Sequence, residues 1–176
     1  SFGALVGFEL LRELMRRRLS LPQLFVVAGF CAPHVPRERL PIANLPPDEL
    51  LAALQSRYGG IPAKVRQNPE LLEMMLPAIR ADFHLLEEYR YEAGPPLPVP
   101  LLAIAGQEDR VINLADLQAW AIHTTEQFSA QLVPGGHLAL TESSGTEPPA
   151  AVKWLVSQIS RQLQCGEAVT PSTTRE

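Results

Sequence analysis

The sequence predicts an α/β fold with a parallel sheet flanked by helices, and three observations support it. Short apolar runs that end at proline or glycine alternate with stretches of helical periodicity along the 176 residues. Hydrophobic residues make up 46% of the chain, which is enough to build a core. Polar residues of catalytic types stand just beyond the apolar runs. Strands separated by helices favour a parallel sheet with covered faces and with ligands at the carboxyl ends of its strands.

The chain opens with a predicted helix over residues 2–18. Leu5, Phe8, Leu11 and Met15 recur at helical spacing and would form its buried face. The run of three arginines at its end suits the negative pole of the helix dipole. Because the net charge of the chain is −4, these arginines do not indicate a nucleic-acid surface.

Three short apolar runs, over 24–28, 99–105 and 127–133, are the predicted strands. Each is followed directly by glycine or proline, which ends extended structure. A helix over 114–121 is predicted between the second and third strands. A last helix is predicted to start near Pro148, because apolar residues then recur on one face.

Residues 31–97 form a predicted insertion between the first two strands. Prolines recur throughout it and bound short helical segments. One helix should open at Pro47, a second at Asn68, where asparagine caps and proline takes the first turn, and a third should run from Pro77 to Tyr89. Such a row of short helices between strands indicates a lid over the site rather than a layer of the core.

Residues 1–164 are predicted to be one domain, partial and lacking its N-terminal part, and 165–176 a disordered polar tail. Cys31 and Cys165 lie far apart and outside any C-x-x-C pattern, so neither a disulfide nor a metal site is predicted. The chain shows no signal peptide and no apolar run of membrane-spanning length. We expect a cytoplasmic protein that binds neither membrane nor nucleic acid.

Three residues of catalytic type stand where a parallel sheet places its ligands. Ser1 precedes a helix, Asp109 follows the second predicted strand, and His137 follows the third. Serine, aspartate, histidine is the triad order of the α/β-hydrolase fold, whose serine sits in a G-x-S-x-G turn between strand and helix. Ser1-Phe2-Gly3 matches the second half of that turn. The pattern predicts the C-terminal portion of an α/β-hydrolase fold.

The predicted roles follow from acyl-transfer chemistry. A serine hydroxyl attacks a carbonyl once a base takes its proton, and His137 is the predicted base for Ser1. Asp109 would orient the imidazole and stabilise its charged form. The backbone N–H of Phe2, at the positive pole of the first helix, would donate to the oxyanion. Gly3 would let that helix pack closely against neighbouring strands.

Other interpretations stay open at this stage. Ser1 could be only a boundary residue, Asp109 a turn cap and His137 a loop histidine. The joint order and placement of the three residues disfavour these interpretations. The remaining histidines compete for the role of base but fall in the insertion or in a helix: His34, His84 and His123. In an N-terminal nucleophile hydrolase the α-amine of Ser1 would itself be the base, but such enzymes begin with a strand rather than a helix.

With these residues in place, the chain resembles the type II thioesterases, stand-alone α/β-hydrolases of nonribosomal peptide and polyketide synthesis that are related to the medium-chain fatty-acid thioesterase. Six family patterns have counterparts in this order: G-H-S-[MF]-G-A from its serine onward, A-P-H, L-P-x-[LI]-R-A-D-F, G-x-x-D, W-x-x-x-T, and G-G-H-F except for its last residue. The matching stretches are S-F-G-A at 1–4, C-A-P-H at 31–34, ELLEMMLPAIRADF at 70–83 followed by Glu88-Tyr89, Asp109 in its turn, Trp120 with His123-Thr124, and G-G-H at 135–137, with Leu138 in place of the aromatic residue.

The resemblance implies hydrolysis of acyl or aminoacyl thioesters held on the phosphopantetheine arm of acyl or peptidyl carrier proteins. The triad would act without a cofactor of its own. Thioester chemistry suits it because a thiol, with a pKa of about 8.5, leaves with little acid assistance. The lid would cover the acyl pocket. A general carboxylester or lipid hydrolase of the same fold, and a segment without catalytic activity, are the alternatives.

The family has roughly half a domain before its serine, with the early strands of the sheet and the second oxyanion donor. This chain starts at the serine. A parallel sheet without its central strands would expose apolar faces and unpaired edges. We therefore expect these residues by themselves to be poorly stable and nearly inactive.

Overall fold

The computed structural model describes residues 1–36, 41–59, 61, 63–141 and 147–167. Strands and helices alternate along it as predicted. The strands are β1, Phe25–Ala28; β2, Leu101–Gly106; and β3, Phe128–Val133. The helices are α1, Phe2–Arg16; α2, Pro47–Tyr58; α3, Ala63–Arg66; α4, Pro69–Glu88; α5, Leu114–Gln118; and α6, Ala150–Glu167, with a 3-10 helix over Ala119–His123.

The three described strands form one parallel sheet in the order β1-β2-β3. Phe25 pairs with Leu101, which in turn pairs with Phe128, so the strands start level with one another. All of β2 is buried, as expected for the central strand of a parallel sheet. The carboxyl ends of the strands therefore meet at one rim of the sheet, where ligands bind in open α/β folds.

Helix α1 packs an apolar stripe into the main core. Leu5, Phe8 and Leu11 follow at intervals of three residues and are each at most 5% exposed. They share this core with Leu101 of β2 and with Trp120, which is completely buried. Burial of one such aliphatic or aromatic side chain stabilises the fold by about 1.5–3 kcal/mol. The stripe thus fixes the helix that begins directly after Ser1.

The first helix ends earlier than predicted, at Arg16 rather than at residue 18. Arg18 has a φ of 57°, in the left-handed region that stops a right-handed helix. Glu13 accepts hydrogen bonds from both Arg16 and Arg17 at 2.6 Å. Two of the three arginines are therefore paired with a carboxylate one turn back.

The close approach of α1 to the sheet occurs at Gly7, not at Gly3 as predicted. A Cβ on Gly3 would meet no described atom within 4 Å, because this residue stands exposed at the rim. A Cβ on Gly7, one turn further along, would lie 3.1 Å from Cε2 of Phe25 at the start of β1. The sequence pattern named the right helix but the wrong glycine.

The insertion, residues 31–97, contains α2, α3 and α4 and has a small core of its own. Ile42, Leu50 and Leu54 are buried there against side chains of α4. The Glu87 carboxylate on α4 accepts hydrogen bonds from the backbone amides of Ile42 and Ala43, at 2.8 and 3.0 Å. These contacts join the start of the insertion to the end of its longest helix.

The predicted break before Pro77 is wrong, because α4 runs unbroken through it. Asn68 and Pro69 open this helix as predicted, with the Asn68 side chain accepting from the Leu71 amide at 3.1 Å. A proline inside a helix removes one backbone hydrogen bond at a cost of about 3 kcal/mol. Packing of the flanking Leu76 and Ile79 against the insertion core offsets that cost.

The C-terminal helix extends through Glu167, past the expected domain boundary at 164. The remainder of the predicted tail, 168–176, and the side chain of Cys165 lie outside the described residues. Within the described ranges, no helix combines the length and the apolar character needed to cross a bilayer.

Candidate functional site

The side chains of Ser1, His137 and Asp109 lie together at the rim where the strands end. The Ser1 Oγ is 3.2 Å from Nε2 of His137, and Nδ1 of His137 is 2.9 Å from Oδ2 of Asp109. A carboxylate can only accept, so Nδ1 carries the ring proton and Nε2 accepts from the serine hydroxyl. The sequence predicted this convergence, and the structure contains it.

Ser1 is held at the junction of β1 and α1. It is the N-cap of α1, and its nitrogen donates to the carbonyl of Ala28, the last residue of β1, at 2.6 Å. Phe2 is the first helical residue, so its N–H has no acceptor within the helix. That N–H stands next to the hydroxyl, at the positive pole of the helix dipole. This is the position predicted for an oxyanion donor.

Asp109 is fixed through both of its carboxylate oxygens, and its side chain is 0% exposed. Oδ1 accepts from the backbone amides of Val111 and Ile112 at 2.8 and 3.1 Å, while Oδ2 faces His137. Burial alone would raise the pKa of Asp109. The hydrogen bonds from His137 and from the two amides outweigh burial and hold this pKa below its ordinary value. The carboxyl group therefore stays ionised at neutral pH.

The backbone of the turn that carries His137 packs closely against the end of β2. Gly135 has a φ of +112°, which favours glycine. A Cβ on Gly106 would overlap the carbonyl oxygens of both Gly135 and Gly136. The Glu108 amide donates to the Gly135 carbonyl at 3.0 Å. Backbone contact between the two turns thus sets the distance between the aspartate and the histidine.

A cavity of about 1400 Å³ opens beside this group of residues. Its walls come from the rim of the sheet and from the insertion, including Ser1, Phe30, Tyr58, Phe83 and His137. Most small-molecule pockets measure about 300–1000 Å³. The cavity is therefore larger than most such pockets.

The competing histidines are engaged differently, although His34 also lines the cavity. Nδ1 of His34 and Nε2 of His123 are 2.8 Å apart and form one hydrogen bond, while His84 is exposed on α4. His123 is 3% exposed. Its burial, reinforced by the nearby His34 and Arg12, lowers the pKa of His123 to about 4. Among the described hydrogen bonds, the Ser1 hydroxyl donates to His137 and not to one of these three histidines.

The sequence did not predict two residues that contact His137. The ring centroid of Tyr58, at the end of α2, lies 4.9 Å from that of the imidazole. A Cβ on Gly29, after β1, would lie 3.4 Å from the imidazole Cε1. A glycine directly after a strand could have signalled the second contact. Tyr58 has no such signal, because its contact depends on how the insertion folds back.

Comparison with known proteins adds the family. A model of the thioesterase domain matches residues 1–155. The chain is 38% identical to a protein of Brevibacillus parabrevis named linear gramicidin dehydrogenase LgrE, over 80% of this chain and 54% of that protein. It is 34% identical to the gramicidin S biosynthesis protein GrsT of Aneurinibacillus migulanus, over 81% of this chain and 56% of that one.

A solved structure is similar over most of the chain. It is the type II thioesterase BorB from the borrelidin biosynthetic cluster, with 32% identity and a TM-score of 0.78. The similarity covers 93% of this chain and 62% of BorB. The chain thus spans between half and two thirds of the length of these relatives.

Proposed function

The chain belongs to the thioesterase domain family, and on that premise we propose that it hydrolyses acyl and aminoacyl thioesters on the phosphopantetheine arm of carrier proteins. It would thereby act as a type II thioesterase of nonribosomal peptide or polyketide synthesis. The observation that carries the proposal is the chain of hydrogen bonds from Ser1 through His137 to Asp109 on the wall of the cavity.

In the first half of the reaction, Ser1 Oγ attacks the thioester carbonyl and its proton passes to Nε2 of His137. The ionised Asp109 stabilises the imidazolium through Nδ1. The carbonyl oxygen becomes an oxyanion, to which the N–H of Phe2 donates. The C–S bond then breaks, the thiolate takes the proton from His137, and the acyl group remains on the serine as an ester.

In the second half, a water molecule attacks the acyl-serine ester while His137 takes one of its protons. The bond to Ser1 Oγ breaks, the serine regains its proton from His137, and the carboxylic acid leaves. Because the same imidazole acts twice, both halves depend on the two hydrogen bonds that hold it.

The substrate class is suggested by the relatives together with the cavity. BorB is a type II thioesterase, and GrsT is named for peptide antibiotic biosynthesis. The name of LgrE denotes a dehydrogenase. A serine hydroxyl hydrogen-bonded to a histidine–aspartate pair favours acyl transfer, since each of its three groups has a role there. The cavity could hold an acyl group on one side of Ser1 and a pantetheine arm on the other.

The test is hydrolysis of an acylated carrier protein by the full-length protein. We expect release of the free acid and of the carrier thiol, measured by mass spectrometry, faster than hydrolysis of an oxygen ester of the same acid. Substitution Ser1→Ala should lower this rate by at least about 10³-fold, since the residual rate would rest on binding and oxyanion contacts alone.

Ser56 supplies the matched control. It also lines the cavity, and its hydroxyl donates to the carbonyl of Ala53 within α2. Ser56→Ala should leave the rate within about twofold, because this hydroxyl donates to a backbone carbonyl rather than to a histidine. Retention of activity in Ser1→Ala, or a preference for the oxygen ester, would count against the proposal.

A further inference from the structure

The insertion contacts the predicted catalytic base through one aromatic side chain. The rings of Tyr58 and His137 have centroids 4.9 Å apart and planes inclined by 53°. Tyr58 is the last residue of α2, and Gly59 ends that helix in the left-handed conformation with a φ of 81°. The helix end therefore has a defined geometry, which places the tyrosine ring against the imidazole.

The position of Tyr58 is set by the packing of the insertion. Its ring centroid lies 6.0 Å from that of Phe83 on α4, and it packs against the buried core of the insertion. Any displacement of α2 and α4 from the rim would carry the tyrosine away from His137. The packing around the imidazole therefore depends on the position of the insertion.

The hydrogen bonds to Ser1 and Asp109 alone would let the imidazole of His137 rotate about the line that joins its two nitrogens. The ring also contacts Gly29 at the end of β1, where a Cβ would lie 3.4 Å from Cε1. Tyr58 contacts it from the insertion. The His137 side chain is 4% exposed and that of Asp109 is 0% exposed, so little water reaches the pair.

We infer that Tyr58 is a positioning residue, which holds the His137 imidazole in line between Ser1 and Asp109 when the insertion lies over the site. This inference rests on the proposed function only in naming the base. The aromatic ring would supply the effect by packing, and the hydroxyl would not be required. Because Tyr58 would act on the imidazole and not on the acyl group, its effect on the rate should be equal for short and long acyl groups.

The experiment compares three variants of the full-length protein on carrier proteins that bear acetyl or octanoyl groups. Tyr58→Ala and Tyr58→Leu should each lower kcat by about tenfold for both acyl groups with little change in KM, the size expected for loss of one aromatic contact. Tyr58→Phe should keep at least half of the wild-type kcat. The control is Leu85→Ala, which removes an exposed leucine of α4 that does not line the cavity and should leave kcat within about twofold.

A substrate-independent measurement separates this inference from the proposed function. A small fluorophosphonate labels an activated serine: a bond forms between Ser1 Oγ and phosphorus, the P–F bond breaks, fluoride leaves, and the hydroxyl proton passes to His137. Labelling should slow about tenfold in Tyr58→Ala and Tyr58→Leu but not in Tyr58→Phe. If the wild-type protein is labelled but does not hydrolyse acyl carriers, the proposed function fails and the labelling rates still test Tyr58.

Three outcomes would overturn the inference. A loss of kcat confined to the octanoyl substrate would make Tyr58 a wall of the acyl pocket. An equal loss in Tyr58→Phe would assign the effect to the hydroxyl. Unchanged labelling and kcat in Tyr58→Leu, which keeps an apolar side chain in the insertion core, would show that the ring has no bearing on His137.

Discussion

The two carboxylate oxygens of Asp109 have different hydrogen-bond partners. One carboxylate oxygen accepts two backbone amides of its own turn, which fixes the group, and the other accepts the imidazole N–H. The side chain is buried without becoming neutral, because the hydrogen bonds that keep its pKa low outweigh its desolvation. The histidine consequently faces a full negative charge that water does not screen.

Gly106 gives the prediction that belongs to the residue scale. Gly106→Ala should push the Gly135–Gly136 carbonyls away from β2 and displace His137, because a Cβ at this position overlaps both oxygens. A misplacement of about 1 Å in a catalytic group costs on the order of 10²-fold in rate. The measurement is the rate of acyl-carrier hydrolysis or of fluorophosphonate labelling.

Gly136→Ala is the matched control for that substitution. A Cβ on Gly136 meets no described atom within 4 Å, so the rate should stay within about threefold of wild type. If Gly106→Ala is tolerated as well as Gly136→Ala, the turn that carries His137 is not set by contact with β2.

The three polar residues that meet at the rim could be predicted from the sequence, and the contacts made by the insertion could not. Ser1, Asp109 and His137 follow from chain order and from their places beyond apolar runs. The contacts of Tyr58 and Glu87 depend on how helices of the insertion fold back on the rim and on one another. Local periodicity carries no information about such long-range pairs.

At the scale of elements, the α/β-hydrolase fold class is confirmed, and so is the resemblance to type II thioesterases. The strands were predictable because apolar runs between glycine and proline suit a buried parallel sheet. The helix break at Pro77 was not a sound prediction, since it used a local rule where tertiary packing decides. Helix boundaries inside the insertion are hard to predict from local sequence, because its core is small and is built by side chains from several segments.

Helix α4 carries the prediction for this scale. Pro77 is exposed on the helix, so Pro77→Ala restores a backbone hydrogen bond while removing little packing. We expect α4 to gain up to about 3 kcal/mol of local stability. Hydrogen exchange of the amides over 69–88 measures it directly, as slower exchange in the variant.

Pro69→Ala serves as the control for α4. Pro69 occupies the first turn, where a proline removes no intrahelical bond, so exchange should hardly change. Faster exchange in Pro77→Ala would mean that the proline ring packs in a way that the helix needs.

At the scale of the whole molecule, His123 joins parts that are remote in sequence. Its carbonyl accepts from the Leu97 amide at the end of the insertion at 2.9 Å, and its ring is hydrogen-bonded to His34. The ring also stacks edge-on with Phe8 of α1 at 4.9 Å and with Tyr91 at 5.6 Å. Protonation of this imidazole would therefore weaken contacts with the first helix, with the loop after β1 and with the insertion.

This arrangement predicts acid sensitivity with a definite sign. His123 takes up a proton near pH 6.5 when unfolded but only near pH 4 when folded, because burial, and after it the neighbouring His34 and Arg12, disfavour a charge on its ring. Between these values the unfolded state binds more protons, so stability falls as the pH falls. The expected loss from pH 7 to pH 5 is on the order of 1–2 kcal/mol, since one pKa unit corresponds to about 1.4 kcal/mol. Urea unfolding should show this loss of stability in the full-length protein and in the control His84→Gln, which changes an exposed histidine. The variant His123→Gln should not show it. An equal loss in His123→Gln would mean that another group causes the acid sensitivity.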